Sequence, residues 1–303
     1  MKHVAQNVIL DTDIGTDIDD AYAVLLAVSS PELNVQGVTL VYGDVGVRRR
    51  IALKLLKLAE RPDIPVVEGE EYPLNRERPI YWGGHEGRGI ESSDIEDIPR
   101  LDVSAPEFMA TAAAEQPGEL LLITIGPLTN AAIAIQNHPR EMARLQGIVA
   151  MASTFAGFGP EKAGVEHNVK CDPEAADIVL GSGIPVLLVG LNVTLQTALT
   201  RSHVERIAGG GTPLAGLMAH MTEDWIRVTN RDSTPMHDGL AVAASFQPAI
   251  MSTATVRPEV SKEVAGAITY YEAGPESPIR ICTSMDVGRF DELFFPRIFG
   301  AVE

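Results

Sequence analysis

Aromatic residues are scarce in this chain of 303 residues: Phe, Trp and Tyr supply 5% of it, although hydrophobic residues as a whole reach 45%. A core of that composition must be filled by Val, Ile, Leu and Ala, the palette of an α/β protein. Basic residues are also few, 24 Lys and Arg against 41 Asp and Glu, for a formal net charge of -17. A field of that sign repels phosphate backbones and anionic membrane surfaces. It argues against nucleic acid and membrane as partners and favours a small neutral or cationic ligand, or a metal ion. No apolar run approaches the roughly 18–20 residues that span a bilayer. Met1-Lys2-His3 leads directly into strand-like Val8-Ile9-Leu10, with nothing resembling a signal peptide. The two cysteines, Cys171 and Cys282, allow one disulfide at most, and two free thiols of a cytosolic protein fit as well. A cytoplasmic location is therefore expected. Linkers, low-complexity runs and internal repeats are all lacking, so one domain over residues 1–303 is expected although the length allows two.

Short β-rich apolar runs alternate with longer helical ones. Val8–Leu10, Val35–Val41, Ile64–Val67, Leu120–Ile125, Ile148–Met151 and Val186–Val189 are nearly continuous in hydrophobicity, as strands covered on both faces should be. Helices are predicted over Asp19–Ser29, Arg49–Ala59, Pro106–Glu115, Leu128–Gln136 and Pro173–Leu180. After about residue 200 the pattern gives helices at Pro213–Val228 and His237–Phe246, strands at Ala265–Tyr271 and Ile279–Cys282, and a last helix from near Val287. Alternating strand and helix predicts an α/β fold with a mostly parallel sheet flanked by helices. In such sheets ligands sit beyond the carboxyl ends of the strands.

The segment Asp11-Thr12-Asp13-Ile14-Gly15-Thr16-Asp17-Ile18-Asp19-Asp20 places five aspartates within ten positions, where the first strand gives way to a helix. Neighbouring carboxylates repel by roughly 1 kcal/mol per pair in water and more when buried. Such a density implies a cation or strongly shifted pKa values. Helix capping accounts for Asp11 or Asp17 as readily as function does, but not for all five. Hard oxygen donors without Cys or His point to calcium or magnesium, and the run lacks the periodicity of an EF-hand loop. Two enzyme chemistries compete here. Asp11-x-Asp13 could be a haloacid-dehalogenase-type phosphatase pair, or the cluster could be a metal site for glycoside hydrolysis.

Asp11 to Ala21 resembles the N-terminal signature of the inosine-uridine nucleoside hydrolase family, with two extra residues before the final Asp pair. Further matches follow in order: Val41-Tyr42-Gly43-Asp44-Val45, Gly126-Pro127-Leu128-Thr129-Asn130, Glu166-His167-Asn168 with Asp172-Pro173-Glu174-Ala175-Ala176, and Met236-His237-Asp238. Together they span nearly the whole chain. The resemblance implies a Rossmann-like single domain, a homodimer or homotetramer, and calcium-dependent hydrolysis of a ribonucleoside to ribose and free base. It implies a calcium ion held by Asp13, Asp20, Asp238 and the backbone carbonyl of Ile125, with Asp13 as general base toward water. By the same resemblance Asp19 binds the ribose 2′ hydroxyl, Glu166 and Asn168 clamp other hydroxyls, and His237 protonates the departing base. A non-catalytic nucleoside binder is the alternative from another class.

The chain departs from that pattern in several places. Asp44 stands where many members carry Asn and is expected beside the ribose. In Trp82-Gly83-Gly84-His85-Glu86-Gly87 the family His would fall on Gly83, while His85, two positions later, is a candidate for the base pocket. Phe158-Gly159-Pro160 occupies the region of the family's Asn near the 5′ hydroxyl. Met151-Ala152-Ser153 replaces the usual Met-Gly-Gly, and Leu195 replaces a common His. Trp225, Arg227 and Tyr22 are candidates for stacking on the base or for simple packing, and packing is the preferred reading for each.

Overall fold

The structure is a computed structural model that describes residues 5–90, 98–155, 165–261, 264 and 266–300. The chain begins with strand β1 (Gln6–Thr12), helix α1 (Asp19–Ser29), β2 (Leu33–Leu40), α2 (Val45–Leu58) and β3 (Val66–Glu68). It continues through α3 (Ala105–Glu115), β4 (Leu120–Thr124), α4 (Thr129–Asn137), α5 (Pro139–Met142) and β5 (Gly147–Met151). Next come α6 (His167–Cys171), α7 (Pro173–Gly181), β6 (Val186–Val189), α8 (Leu191–Thr194), β7 (Leu199–Thr200), α9 (Arg201–Gly209) and α10 (Pro213–Thr229). The last elements are β8 (Ser233–Thr234), α11 (His237–Phe246), β9 (Met251–Val260), β10 (Ile268–Glu272), β11 (Ile279–Met285) and α12 (Val287–Phe299).

Nine strands form one sheet in the order β10-β9-β11-β6-β5-β4-β1-β2-β3. From β3 to β11 every neighbouring pair is parallel; β9 and β10 add an antiparallel edge. The expected mostly parallel α/β sheet is therefore present. Its central strands are buried on both faces, which explains their unbroken apolar runs: all five residues of β5 are buried. Alternation splits their side chains between two cores. Val8 and Leu10 join the layer of Tyr22, Leu25, Phe290 and Phe294, whereas Ile9 joins Met109, Ala131 and Ala176. Tyr22 packs as expected, its hydroxyl bonded to Thr222 Oγ1 at 3.0 Å.

The short elements α5, α6, α8, β7 and β8 and the helix α9 were not anticipated, and three others also differ from the sequence reading. α2 starts at Val45 rather than Arg49, because Asp44 caps it by accepting from Val47 N at 2.9 Å. β9 was not anticipated, for its residues are mostly half-exposed and polar. β10 starts at Ile268, and Ala265, the expected start, lies outside the described residues. Both cysteines are free and buried. Among the described residues no helix is long and apolar enough to cross a membrane.

Candidate active site

The strand order reverses direction between β1 and β4, which opens a crevice beyond their carboxyl ends. A cavity of about 190 Å³ lies there, lined by residues that include Asp13, Asp17, Asp19, Asp20, Ile125, Glu166, Asn168, His237 and Asp238. Three elements bring the acids together. Asp13 follows β1, Asp19 and Asp20 form the first turn of α1, and Asp238 lies in the first turn of α11. The two helices pack together with their N-termini at the cavity, where helix dipoles favour negative charge. Asp238 N donates to Asp19 Oδ2 at 3.3 Å. Carboxylate oxygens of Asp19, Asp20 and Asp238 all fall within 4.8 Å of one another, a set that could hold a metal ion.

Burial dominates the electrostatics. It pushes the carboxyls of Asp20 and Asp238 far above the usual range, with neighbouring aspartates adding to the effect. Asp19 rises to about 7 through burial and the nearby Asp17. Asp13 also rises through burial, but the Arg48 guanidinium, 3.9 Å from its Oδ2, opposes the change. Arg48 is fully buried, and its Nε donates to Tyr42 O at 2.5 Å and its Nη1 to Ile14 O at 2.9 Å. It therefore pins the aspartate loop from behind while countering its charge. The sequence reading missed Arg48, because it sits in an Arg48-Arg49-Arg50 run that reads as a solvated helix face.

Several residues of the recurring motifs hold the scaffold rather than the cavity. Asp11 is buried with Oδ1 accepting from Thr39 Oγ1 at 2.6 Å and Asn130 Nδ2 at 2.8 Å. Asn130 also donates to Leu40 O and accepts from Glu70 N, so one side chain ties β1, β2 and the segment after β3 to α4. Asp172 caps α7 and accepts from Thr129 Oγ1 at 2.7 Å and Leu74 N at 2.8 Å. Thr12 Oγ1 donates to Asp20 Oδ1 at 2.5 Å. Neither Asp11 nor Asp17 caps a helix: Ile18 takes the cap position of α1, and Asp17 Oδ1 accepts from Trp225 Nε1 at 2.9 Å.

Gly126, the first residue of the turn after β4, has a steric role. A Cβ there would lie 2.8 Å from Asp13 Oδ1 and 2.9 Å from Asp13 N. Gly126→Ala is thus expected to displace Asp13 and lower kcat about tenfold or more, with little change in far-UV circular dichroism. Wild-type turnover in that variant would show that the close approach is not needed.

The other expected site residues divide. Glu166 caps α6, and its oxygens already accept from Ser153 N, Asn168 N and Val169 N at 2.6–3.0 Å. Asn168 Nδ2 donates to the carbonyls of Ile125 and Met151 at 2.9 and 3.1 Å, which ties α6 to the ends of β4 and β5. His237 faces the cavity with Nδ1 2.6 Å from Thr194 Oγ1, and burial lowers its pKa to about 4. The structure does not bring Asp44 or His85 into this cavity. Asp44 is exposed as the α2 cap, whereas His85 places Nε2 2.8 Å from Thr16 O and lines a neighbouring groove with Asp17 and Trp225. Ser153, which replaces a family glycine, holds φ at +73°, a conformation disfavoured for a side chain. Its backbone N and its Oγ, bonded to Tyr270, anchor it there. Phe158, Gly159 and Pro160 lie outside the described residues.

A buried carboxylate cluster in a cavity at the switch point of such a sheet marks a place for a cation and a small ligand. Comparison with known proteins gives the particular kind. The family model for inosine-uridine preferring nucleoside hydrolase matches residues 8–292. A pyrimidine-specific ribonucleoside hydrolase, RihA, of Salmonella paratyphi A is 31% identical over 97% of this chain and 99% of its own. Uridine nucleosidase 1 of Arabidopsis thaliana is 33% identical over 82% of this chain and 75% of its own. Among solved structures, the purine-preferring ribonucleoside hydrolase from Gardnerella vaginalis shares a TM-score of 0.84 at 28% identity, covering 97% of this chain and 98% of that one. The chain belongs to the inosine-uridine preferring nucleoside hydrolase family, and it is an N-glycosyl hydrolase. The phosphatase reading of Asp11-x-Asp13 is overturned: Asp11 is fully buried among strands and cannot reach a phosphorus atom.

Proposed function

We propose that the chain hydrolyses the N-glycosidic bond of a ribonucleoside in a calcium-dependent reaction with Asp13 as general base. The carrying observation is the convergence of Asp13, Asp19, Asp20 and Asp238 on one cavity, with three of them in metal-holding proximity. The donor set is all oxygen, which suits a hard cation, and the raised carboxyl pKa values mark negative charge short of a counterion. Asp20 and Asp238 of that set, with Asp13 and the Ile125 carbonyl from the same cavity wall, would hold the ion, which would supply Lewis acidity and neutralise the cluster, while Asp19, the third member of the set, is left to the ribose.

Asp13 accepts the proton of the attacking water as the glycosidic bond breaks through an oxocarbenium-like state. Asp19 accepts from the ribose 2′ hydroxyl. Glu166 and Asn168 position the sugar's other hydroxyls; a carboxylate oxygen has two lone pairs, so the backbone bonds to Glu166 leave room for a hydroxyl. Water attack opposite the departing base inverts the anomeric centre.

His237 assists the base. If Thr194 donates to Nδ1, the neutral ring keeps its proton on Nε2, the nitrogen free to serve the leaving group. His237→Ala is expected to slow hydrolysis of nucleosides about 10²-fold and to spare an activated nitrophenyl riboside. Equal losses on both substrates would remove this role.

The deciding experiment measures ribose release from inosine, adenosine, guanosine, uridine and cytidine, before and after chelator treatment. Release that vanishes on stripping and returns with calcium supports the proposal; release unaffected by stripping contradicts it. A homodimer or homotetramer is part of the same reading, and a monomeric mass by light scattering would remove that part.

A further inference from the structure

Beside the catalytic cavity lies a second recess of about 380 Å³, twice its volume, whose walls include Tyr42, Ile80, Tyr81, His167 and Cys171. His167 lines both spaces. In a chain poor in aromatics, Tyr42 and Tyr81 both meet the His167 ring edge-on, with centroids 6.5 and 5.7 Å away. The Tyr81 backbone is fixed there by donating to Tyr42 Oη at 2.9 Å. Nothing in the proposed hydrolysis uses this recess.

Its direction follows from the catalytic side chains. His237, on the leaving-group side, feels the charges of Asp17 and Arg231, and the groove on that side shares Asp17 with the cavity. The second recess meets the cavity instead at His167, whose chain neighbours Glu166 and Asn168 line the cavity and position the sugar in the proposed reading. A substituent on the far end of the ribose, away from the base, therefore points toward it.

The chemistry of the walls selects an apolar group over an anion. Arg78 is the recess's guanidinium, yet its Nε and Nη2 already donate to Glu174 at 3.1 and 2.6 Å. Lys170 is exposed and keeps its ammonium in solvent at the rim. The His167 imidazole has its Nε2 turned to Cys171 Sγ at 3.4 Å, and the remaining surface is tyrosine ring, Pro79 and Ile80.

We infer that this recess is a substrate subsite that takes an apolar substituent on the 5′ carbon of the nucleoside. The inference rests on the ribonucleoside reading above. Burying a benzyl-sized group should raise affinity roughly tenfold or more.

The test compares 5′-S-benzyl-5′-thio derivatives of uridine and inosine with the parent nucleosides, in turnover by the calcium-loaded enzyme and in binding to the calcium-loaded Asp13→Asn variant by calorimetry. Tenfold tighter binding of a thioether than of its parent is expected, with a matching gain in kcat/KM. Ile80→Asp should erase the preference and Ile80→Leu should keep it, which separates a lost apolar contact from a damaged fold. Parents that are hydrolysed, and bound as well as or better than the thioethers, would overturn the subsite while leaving the activity standing. Tighter thioether binding without hydrolysis of either series would uphold the subsite and overturn the activity. A preference that survives Ile80→Asp would also overturn the assignment.

Discussion

Asp13→Ala is expected to lower kcat/KM by about 10³-fold or more while the fold stays intact. Asp13 lies just beyond β1 with its backbone against Gly126 and its carboxylate facing the cavity. Burial makes it a stronger base than a solvated carboxylate, and Arg48 keeps that effect in check. Removing it deprives the attacking water of its proton acceptor and the ion of a proposed ligand. Arg48 would retain its bonds to Tyr42 O and Ile14 O, so the loop should keep its course. Asp13→Asn conserves volume and should be nearly as inactive, which separates basicity from packing. The check is steady-state kinetics with a near-UV circular dichroism spectrum and a thermal midpoint; wild-type-like rates in either variant would remove Asp13 from the mechanism.

The second large effect concerns stability. Asp11 and Asp19 both rise from an ordinary 3.8 to about 7 in the fold, burial being the main cause for each. A raised carboxyl means that the folded state binds more protons than the unfolded one, so stability falls as pH rises through this window. Metal-free protein should therefore be more stable near pH 5 than near pH 7.5, by on the order of a few kcal/mol, or about 5 °C or more in Tm. Relief of the overall negative charge on acidification has the same sign, so the discriminating comparison is with calcium added. A bound cation favours the ionised cluster and should raise Tm most at the higher pH, flattening the slope. Thermal scans of chelated and calcium-loaded protein at both pH values test this. A chelated protein that gains stability as pH rises through the window, or a slope unchanged by calcium, would contradict the charge balance described here.

Legibility in the sequence followed burial and length. β1, β2, β4, β5 and β6 lie between helical layers, so their apolar runs declare them. β9 escapes because polar Ser252, Thr253, Thr255, Arg257 and Glu259 interrupt it and Pro258 discourages a strand. The helices α6 and α8, with five and four residues, are too short to show a 3.6-residue period. Within the site, the dense aspartate run was plain from charge alone. Its meeting with Asp238 required the resemblance, because only the packing of α11 on α1 joins segments so distant in sequence. Arg48 carried a faint signal: three consecutive arginines in an acidic chain, just after the Asp44 cap. Nothing in that pattern says that Arg48, rather than the likewise buried Arg49, reaches the aspartates.

Arg48 bears on how the active protein is assembled. With a permanent guanidinium already lodged behind Asp13, part of the loop's negative charge is answered before any ion arrives. On the metal-dependent reading proposed above, folding and ion loading would then be separable events, the loop being set by its own charges and the ion taken up from solution. An enzyme built in that order would read its ionic surroundings: its active fraction would follow the free cation concentration and recover on resupply without refolding.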